Sequence, residues 1–152
     1  MMSLPEKQKI VDIMMAITPA YLATCDGDQP SVRAVSPIVE DDLSILVGTH
    51  STSRKVKQIK QNPKISLAFV QPPYAARGER AAIVLGEAEI ISSVKERKRF
   101  WRLWPSVYSD FELGREYPNG PESSEFCLIK IIVKKVEWWT ENEPMKIYKR
   151  GK

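Results

Sequence analysis

The sequence predicts a mainly β domain with flanking helices (an α+β class), in which six antiparallel strands make a closed or nearly closed barrel. Three observations carry this. β-Rich runs recur at even spacing from Ala20 onward. Asp26-Gly27-Asp28 is a hairpin signal between the first two of them. Two longer runs, Arg80 to Ile91 and Phe126 to Trp139, are long enough for each to serve two halves of a sheet.

Each element has its own justification. Leu4 to Ile17 reads as a helix, because Ile10, Ile13, Met14 and Ile17 share one stripe and Lys7 and Lys9 lie off it. Pro5 suits a first helical turn, and Thr18-Pro19 ends the helix because a residue before proline avoids the helical region. Ala20 to Cys25 is a strand and Ser31 to Val39 its partner. Val32, Ala34, Ser36 and Ile38 fall on one face, and Ser31, Arg33, Val35 and Pro37 on the other. Pro37 cannot donate to a ladder, so a bulge or break is expected there. Glu40-Asp41-Asp42 is a polar turn, and Leu43 to Gly48 is the third strand. Ser53 to Gln61 is a helix with Val56 and Ile59 inward, and Ser51, Thr52 and Ser53 each offer an N-cap oxygen. Asn62-Pro63 closes it before the strand Lys64 to Val70. Gln71 to Glu79 is a loop. In the long strand Arg80 to Ile91, Gly86 marks a bend or bulge. Val94 to Trp104 is an amphipathic helix with Phe100, Leu103 and Trp104 apolar. Pro105 to Ser124 is a loop with one helical turn around Tyr108 to Leu113. Phe126 to Trp139 is the last long strand, and Met145 to Tyr148 adds a short edge.

Bulk properties narrow the function classes. The chain of 152 residues fits one domain, taken as 1–152, and its 43% hydrophobic and 28% charged content is ordinary for a globular protein. No apolar run approaches the ~20 residues of a membrane-spanning helix, and the first residues hold no signal-peptide apolar region, so a cytoplasmic protein without membrane association is expected. Cys25 and Cys127 lack CxxC partners and read as two buried thiols. One histidine and no cysteine cluster argue against a metal site. The net charge of +4 is mild and its lysines and arginines are interleaved with acids, so no nucleic-acid partner is expected. There is no Ser/His/Asp order, carboxylate pair at helical spacing or Gly-rich nucleotide loop, which removes the hydrolase and kinase readings.

What remains is an anion site. Arg33 sits mid-strand on an apolar background, either as an exposed strand arginine or as a guanidinium fork for a phosphate. The strand ending in Gly48-Thr49 feeds a helix starting near Ser53, whose free N–H groups and positive dipole end favour an anion. Thr49, Ser51, Thr52 and Ser53 add hydroxyls, and Arg54 and Lys55 add charge. Singly these are a cap and surface cations; together with Arg33 they favour a phosphate. His50 is either a surface loop residue or a donor at the cofactor edge.

These pieces resemble the pyridoxamine 5'-phosphate oxidase-like FMN-binding split barrels, in particular the branch similar to general stress protein 26. The resemblance rests on Tyr21-Leu22-Ala23-Thr24, Pro30-Ser31-Val32-Arg33-Ala34-Val35-Ser36-Pro37, Ile45-Leu46-Val47-Gly48-Thr49, Ser53-Arg54-Lys55-Val56, Asn62-Pro63-Lys64-Ile65 and Gly86-Glu87-Ala88-Glu89-Ile90, in order, over roughly residues 6 to 140. It implies a six-stranded antiparallel split β-barrel of the FMN-binding type. It implies a flavin phosphate held by Arg33, Lys55, Thr49 and Ser53, with Arg54 and His50 near the cofactor. The flavin ring would lie along Ala34, Val35 and Ser36, opposite Gly48 and Thr49. It also implies a homodimer with cofactor sites at its interface, covered by aromatics of the partner chain; Trp101, Trp104, Trp138 and Trp139 are the candidates, each also explicable as packing. The implied activity is an FMN-dependent oxidation or reduction of an unidentified small molecule, with no catalytic side chain assigned. A flavin-sensing protein without turnover, or a barrel using deazaflavin F420 or haem, are the alternatives. The oxidase itself carries an Arg and His segment for its pyridoxal substrate. Here no histidine follows His50, which weakens a vitamin B6 substrate.

Overall fold

A computed structural model describes residues 4–73 and 78–151. Along the chain run α1 (Glu6–Met15), β1 (Ala20–Asp26), β2 (Gln29–Val35), β3 (Ile38–Val39), β4 (Ile45–His50) and α2 (Arg54–Gln61). They are followed by β5 (Lys64–Gln71), β6 (Arg80–Ile91), α3 (Val94–Val107), α4 (Leu113–Glu116), β7 (Phe126–Thr140) and β8 (Lys146–Lys149). The described strands form one antiparallel sheet in the order β2-β1-β5-β6-β7-β4-β3, with β8 added to β7. β2 and β3 stand at the two ends of that order yet are joined in sequence by Ser36-Pro37 alone. The sheet therefore closes through a covalent corner where a ladder would otherwise run, which is what a proline lacking an N–H permits.

The mainly β class with flanking helices holds, but the six expected strands become eight. Pro37 divides the expected Ser31 to Val39 strand into β2 and β3, and the C-terminal edge forms as β8. The break also re-aims the chain. Val32 and Ala34 are exposed, whereas Ile38, expected on their face, is buried. Leu43, expected to begin the third strand, lies in the preceding turn at φ 70, with its side chain fully buried.

Local signals act where they were read. Asp26 pairs with Gln29, leaving Gly27-Asp28 as a two-residue loop whose glycine takes φ 62. Leu85 faces Lys135 while Gly86 faces Val133, so Lys134 is the extra residue of a bulge opposite Gly86. The expected loop over Gln71 to Glu79 includes 74–77, which lie outside the described residues.

The region after Trp104 differs most. Pro105 does not end α3, which continues to Val107. The extra turn is held by side chains: the Trp104 ring stacks on that of the C-cap residue Tyr108 at 4.4 Å, and the Tyr108 hydroxyl donates outside the helix to the Pro37 carbonyl at 2.6 Å. Tertiary contacts thus offset the hydrogen bond that proline removes. The helical turn expected around Tyr108 to Leu113 forms one step later, as α4.

Two apolar cores follow from the alternation of β4 and β7. Ile45, Val47, Cys127, Ile129 and Ile131 point inward with the buried stripes of α1 and α2. Leu46, Phe126 and Leu128 point outward, under Phe100 and Trp104 of α3, Leu113 of α4 and Tyr117. β4 and the first half of β7 are thereby covered on both faces. Both cysteines are free; Cys127 is buried as expected, but Cys25 is only half-buried.

Candidate functional site

The corner between β2 and β3, the end of β4 and the start of α2 meet at one cleft of 460 Å³. Its strand side is made of Ala34, Val35, Ser36, Val47 and Gly48, with Lys55 of α2 at its polar end. Five of the expected site residues, Ala34, Val35, Ser36, Gly48 and Lys55, therefore share one wall. The facing wall is aromatic: Trp104, Tyr108, Phe111 and Tyr117, with Leu113 and Glu116. It comes from the chain's own α3–α4 segment. Of the four tryptophans considered as covers, only Trp104 lines this cleft. Trp138 is buried in the barrel core and donates to Glu6, Trp139 donates to Glu79, and Trp101 packs edge-on against Phe126.

The polar end of the cleft is cationic. The Lys55 ammonium donates to Thr49 Oγ1 at 2.8 Å, and Thr49 Oγ1 lies 3.4 Å from Ser53 Oγ. Ser53 occupies the N-cap position of α2 but makes no side-chain cap bond there. Its hydroxyl is turned toward Thr49. Arg33 does not present a free fork. Its Nη1 donates to Thr24 Oγ1 at 2.8 Å and to the Leu22 carbonyl at 3.2 Å, and its Nη2 donates to Ser31 Oγ at 3.0 Å and Gln58 Oε1 at 2.9 Å. The guanidinium is thus fixed by neutral acceptors from β1, β2 and α2.

The three cations feel one another. Burial and then the neighbouring Arg33 push the Lys55 ammonium below its ordinary range. Burial and then Arg54 do the same to Arg33. Among the described residues, none of Arg33, Arg54 and Lys55 has a carboxylate within salt-bridge distance. Two half-buried cations, Arg33 and Lys55, and the exposed Arg54, with no counter-ion within salt-bridge distance among the described residues, stand at a hydroxyl-lined helix entrance and are suited to an external anion. A cleft lined mostly by apolar and aromatic side chains continues from Lys55. Those two features together fit a phosphate-bearing planar cofactor.

His50 ends β4 at the rim. It is exposed, its Nε2 lies 2.5 Å from Glu116 Oε1, and its ring packs 4.7 Å from that of Tyr117. It ties α4 to the barrel. Burial, and then Glu116, push the Tyr117 hydroxyl up to about 12, so the wall it forms is a neutral phenol. Among the described residues no group of three or more His, Cys, Asp or Glu side chains could hold a metal.

Sequence reasoning missed Thr24 and Gln58, two of the three buried polar residues found among the described ones, the third being Thr49. A polar residue between Val56 and Ile59 on the inward side of α2 was the available signal for Gln58. It also missed the α3–α4 wall, although six aromatic side chains between Phe100 and Tyr117 marked it.

The comparisons with known proteins bear on this arrangement. The family model described as pyridoxamine 5'-phosphate oxidase matches residues 7–140. A pyridoxine/pyridoxamine 5'-phosphate oxidase of Escherichia coli O1:K1 / APEC is 37% identical over 149 aligned residues, covering 83% of this chain and 66% of that protein. The chain thus spans less than two thirds of that relative's length. Among solved structures, the general stress protein 26 of Bacillus anthracis str. Sterne superposes with a TM-score of 0.70 at 21% identity, covering 95% of this chain and 98% of that one. A heme binding protein of Mycobacterium smegmatis gives a TM-score of 0.75 at 16% identity, covering 97% and 60%. At those identities the structural likeness is one of fold.

Proposed function

The chain belongs to the pyridoxamine 5'-phosphate oxidase family, and on that premise we propose that it is an FMN-binding flavoprotein, an oxidoreductase acting on a small molecule that remains to be identified. The observation that carries the reading is the cluster of Arg33, Arg54 and Lys55, with no described carboxylate within salt-bridge distance, which meets the cleft through Lys55. In this reading Lys55, the Thr49 and Ser53 hydroxyls and the charge of Arg33 and Arg54 hold the phosphate. The backbone of Ala34 to Ser36 and Gly48 lies along the ring, and Trp104 and Tyr117 exclude water from its other side. His50 belongs to the rim through Glu116. When bound, the flavin supplies the electron transfer, and the chain's residues supply binding and orientation. No catalytic acid or base is assigned.

The cations favour FMN over haem, the ligand named for one structural neighbour, because a phosphate dianion concentrates more negative charge on one point than either haem propionate does. The absorption spectrum of the purified protein is the direct test. A flavin band is expected, and reduction by a nicotinamide donor with turnover would separate an oxidoreductase from a flavin sensor. A haem or deazaflavin spectrum would overturn the FMN assignment.

The proposal includes a homodimer. Ala34, Tyr21, Ala68, Ile83, Glu137 and Ile147 form one register row across six strands. Tyr21 is 46% exposed, Val32 of the adjoining row 66% and Ile147 50%. The helices pack elsewhere, so this outward sheet face, apolar in this row apart from Glu137, is left uncovered, and it runs up to Ala34 at the cleft. Light scattering at micromolar concentration is expected to give the dimer mass; a monomer would remove the interface from the proposal. Among the described residues, no helix is long and apolar enough to cross a membrane. Two free cysteines accord with cytoplasmic residence, which is part of the same proposal.

A further inference from the structure

Five neutral acceptors, the Leu22 and Ser31 carbonyls, Thr24 Oγ1, Ser31 Oγ and Gln58 Oε1, fix the guanidinium of Arg33, and no described carboxylate reaches it. Two of these bonds and one between their acceptors close a ring: Arg33 donates to Thr24 at 2.8 Å, Thr24 donates to Gln58 at 2.5 Å, and Arg33 donates to the same Gln58 oxygen at 2.9 Å. Both donors aim at one amide atom, so that atom is the oxygen; the flipped amide would set NH2 against a cation. Thr24 is 2% exposed and Gln58 6%, which makes them costly residues to bury unless their bonds are made. Gln58 also interrupts the apolar side of α2, where Val56 and Ile59 are buried in the barrel core. Stability alone would be served as well by an apolar residue here, or by a carboxylate paired with the arginine.

We infer that Gln58 and Thr24 are positioning residues that hold Arg33 in place while leaving its positive charge undischarged for the anion. This inference rests on the phosphate reading given above. The choice of an amide over a carboxylate is its centre. Glutamate has the same shape as glutamine and would accept the same two bonds, yet it would cancel the charge that an incoming phosphate is meant to meet. The hydrogen-bonded ring also accounts for the direction of Arg33: the side chain is pre-set before any ligand arrives, so less order has to be imposed on binding.

The test measures FMN and riboflavin affinities of the full chain by quenching of flavin fluorescence, for the native protein, Gln58→Glu, Arg33→Ala and the double variant. The native protein is expected to prefer FMN. Gln58→Glu is expected to lower that preference by about tenfold, with riboflavin affinity unchanged. In the Arg33→Ala background, Gln58→Glu is expected to add little, since the charge it cancels is already gone. Thr24→Val, which keeps the shape and removes the hydroxyl, is expected to lower the preference less and keeps the test open should Gln58→Glu fail to fold. An unchanged preference in Gln58→Glu, or an equal loss with and without Arg33, would overturn the inference while the phosphate reading stands. If Gln58→Glu does not fold, an unchanged preference in Thr24→Val overturns it instead. A native protein that binds both flavins equally would overturn the phosphate reading itself, and the inference with it.

Discussion

Lys55→Ala is expected to weaken FMN binding by about 1–3 kcal/mol, a loss of several-fold to more than a hundredfold, and to weaken riboflavin much less. The asymmetry follows from geometry. The Lys55 ammonium spends one of its three donors on Thr49 at 2.8 Å, which leaves two for a ligand. Arg33 spends both terminal nitrogens on protein acceptors and contributes chiefly its field. Lys55 is therefore the principal phosphate donor in this site, and Arg33→Ala is expected to cost no more than Lys55→Ala. Raising the salt concentration should narrow the difference between the two flavins in the native protein and narrow it less in the variant, where screening acts only on the charges of Arg33 and Arg54. Lys55 also lines the cleft, so its methylene stem packs against whatever fills the slot. Lys55→Met keeps that stem and isolates the charge. Equal losses of FMN and riboflavin affinity in Lys55→Met would contradict the assignment of Lys55 to the phosphate.

What the sequence made legible divides along the range of the interactions involved. The hairpin at Gly27 and the bulge opposite Gly86 were readable because a glycine's backbone freedom or its missing side chain is a local property. The entrance to α2 was readable for the same reason: hydroxyls and cations crowd into Thr49 to Lys55, and the structure links Lys55, Thr49 and Ser53 by hydroxyl and ammonium contacts. The order β2-β1-β5-β6-β7-β4-β3 was not, since it depends on which distant strands meet. Pro105 was misread because the local rule against proline in a helix was outweighed by Trp104, which donates to the Phe111 carbonyl and stacks on Tyr108, and by Tyr108, whose hydroxyl reaches the Pro37 carbonyl. The direction of Arg33 illustrates the limit best. Its place on a strand was evident, but its rotamer depends on Thr24, nine positions earlier on the neighbouring strand, and on Gln58 of a helix. Strand alternation says which face a side chain leaves from, and the partners on that face decide where it ends.

Gly86→Ala is expected to be the most damaging single-methyl addition in the barrel, destabilising it by about 3 kcal/mol or more. A Cβ at Gly86 would lie 2.0 Å from the Ile132 carbonyl oxygen, well inside any tolerable contact. The reason is space, since Gly86 is not among the positive-φ glycines. The obstructing atom belongs to the backbone of β7, at the point where Lys134 bulges and the register slips from Lys135 to Val133. β7 is held there by β6 on one side and, through the Arg150 N–H donating to the Lys134 carbonyl, by the chain after β8 on the other. It cannot retreat without breaking ladder bonds. Gly48 supplies the control. A Cβ there would meet Phe100 at 2.8 Å and Phe126 at 2.9 Å, but these are ring edges of side chains that can tilt. Gly48→Ala is therefore expected to cost about 1–2 kcal/mol. Urea unfolding of the three proteins checks the ranking, and the larger loss should lower the thermal midpoint by roughly 6–12 °C. If Gly86→Ala proved as stable as the native protein, or more stable than Gly48→Ala, the tight β6–β7 crossing at the bulge would be wrong.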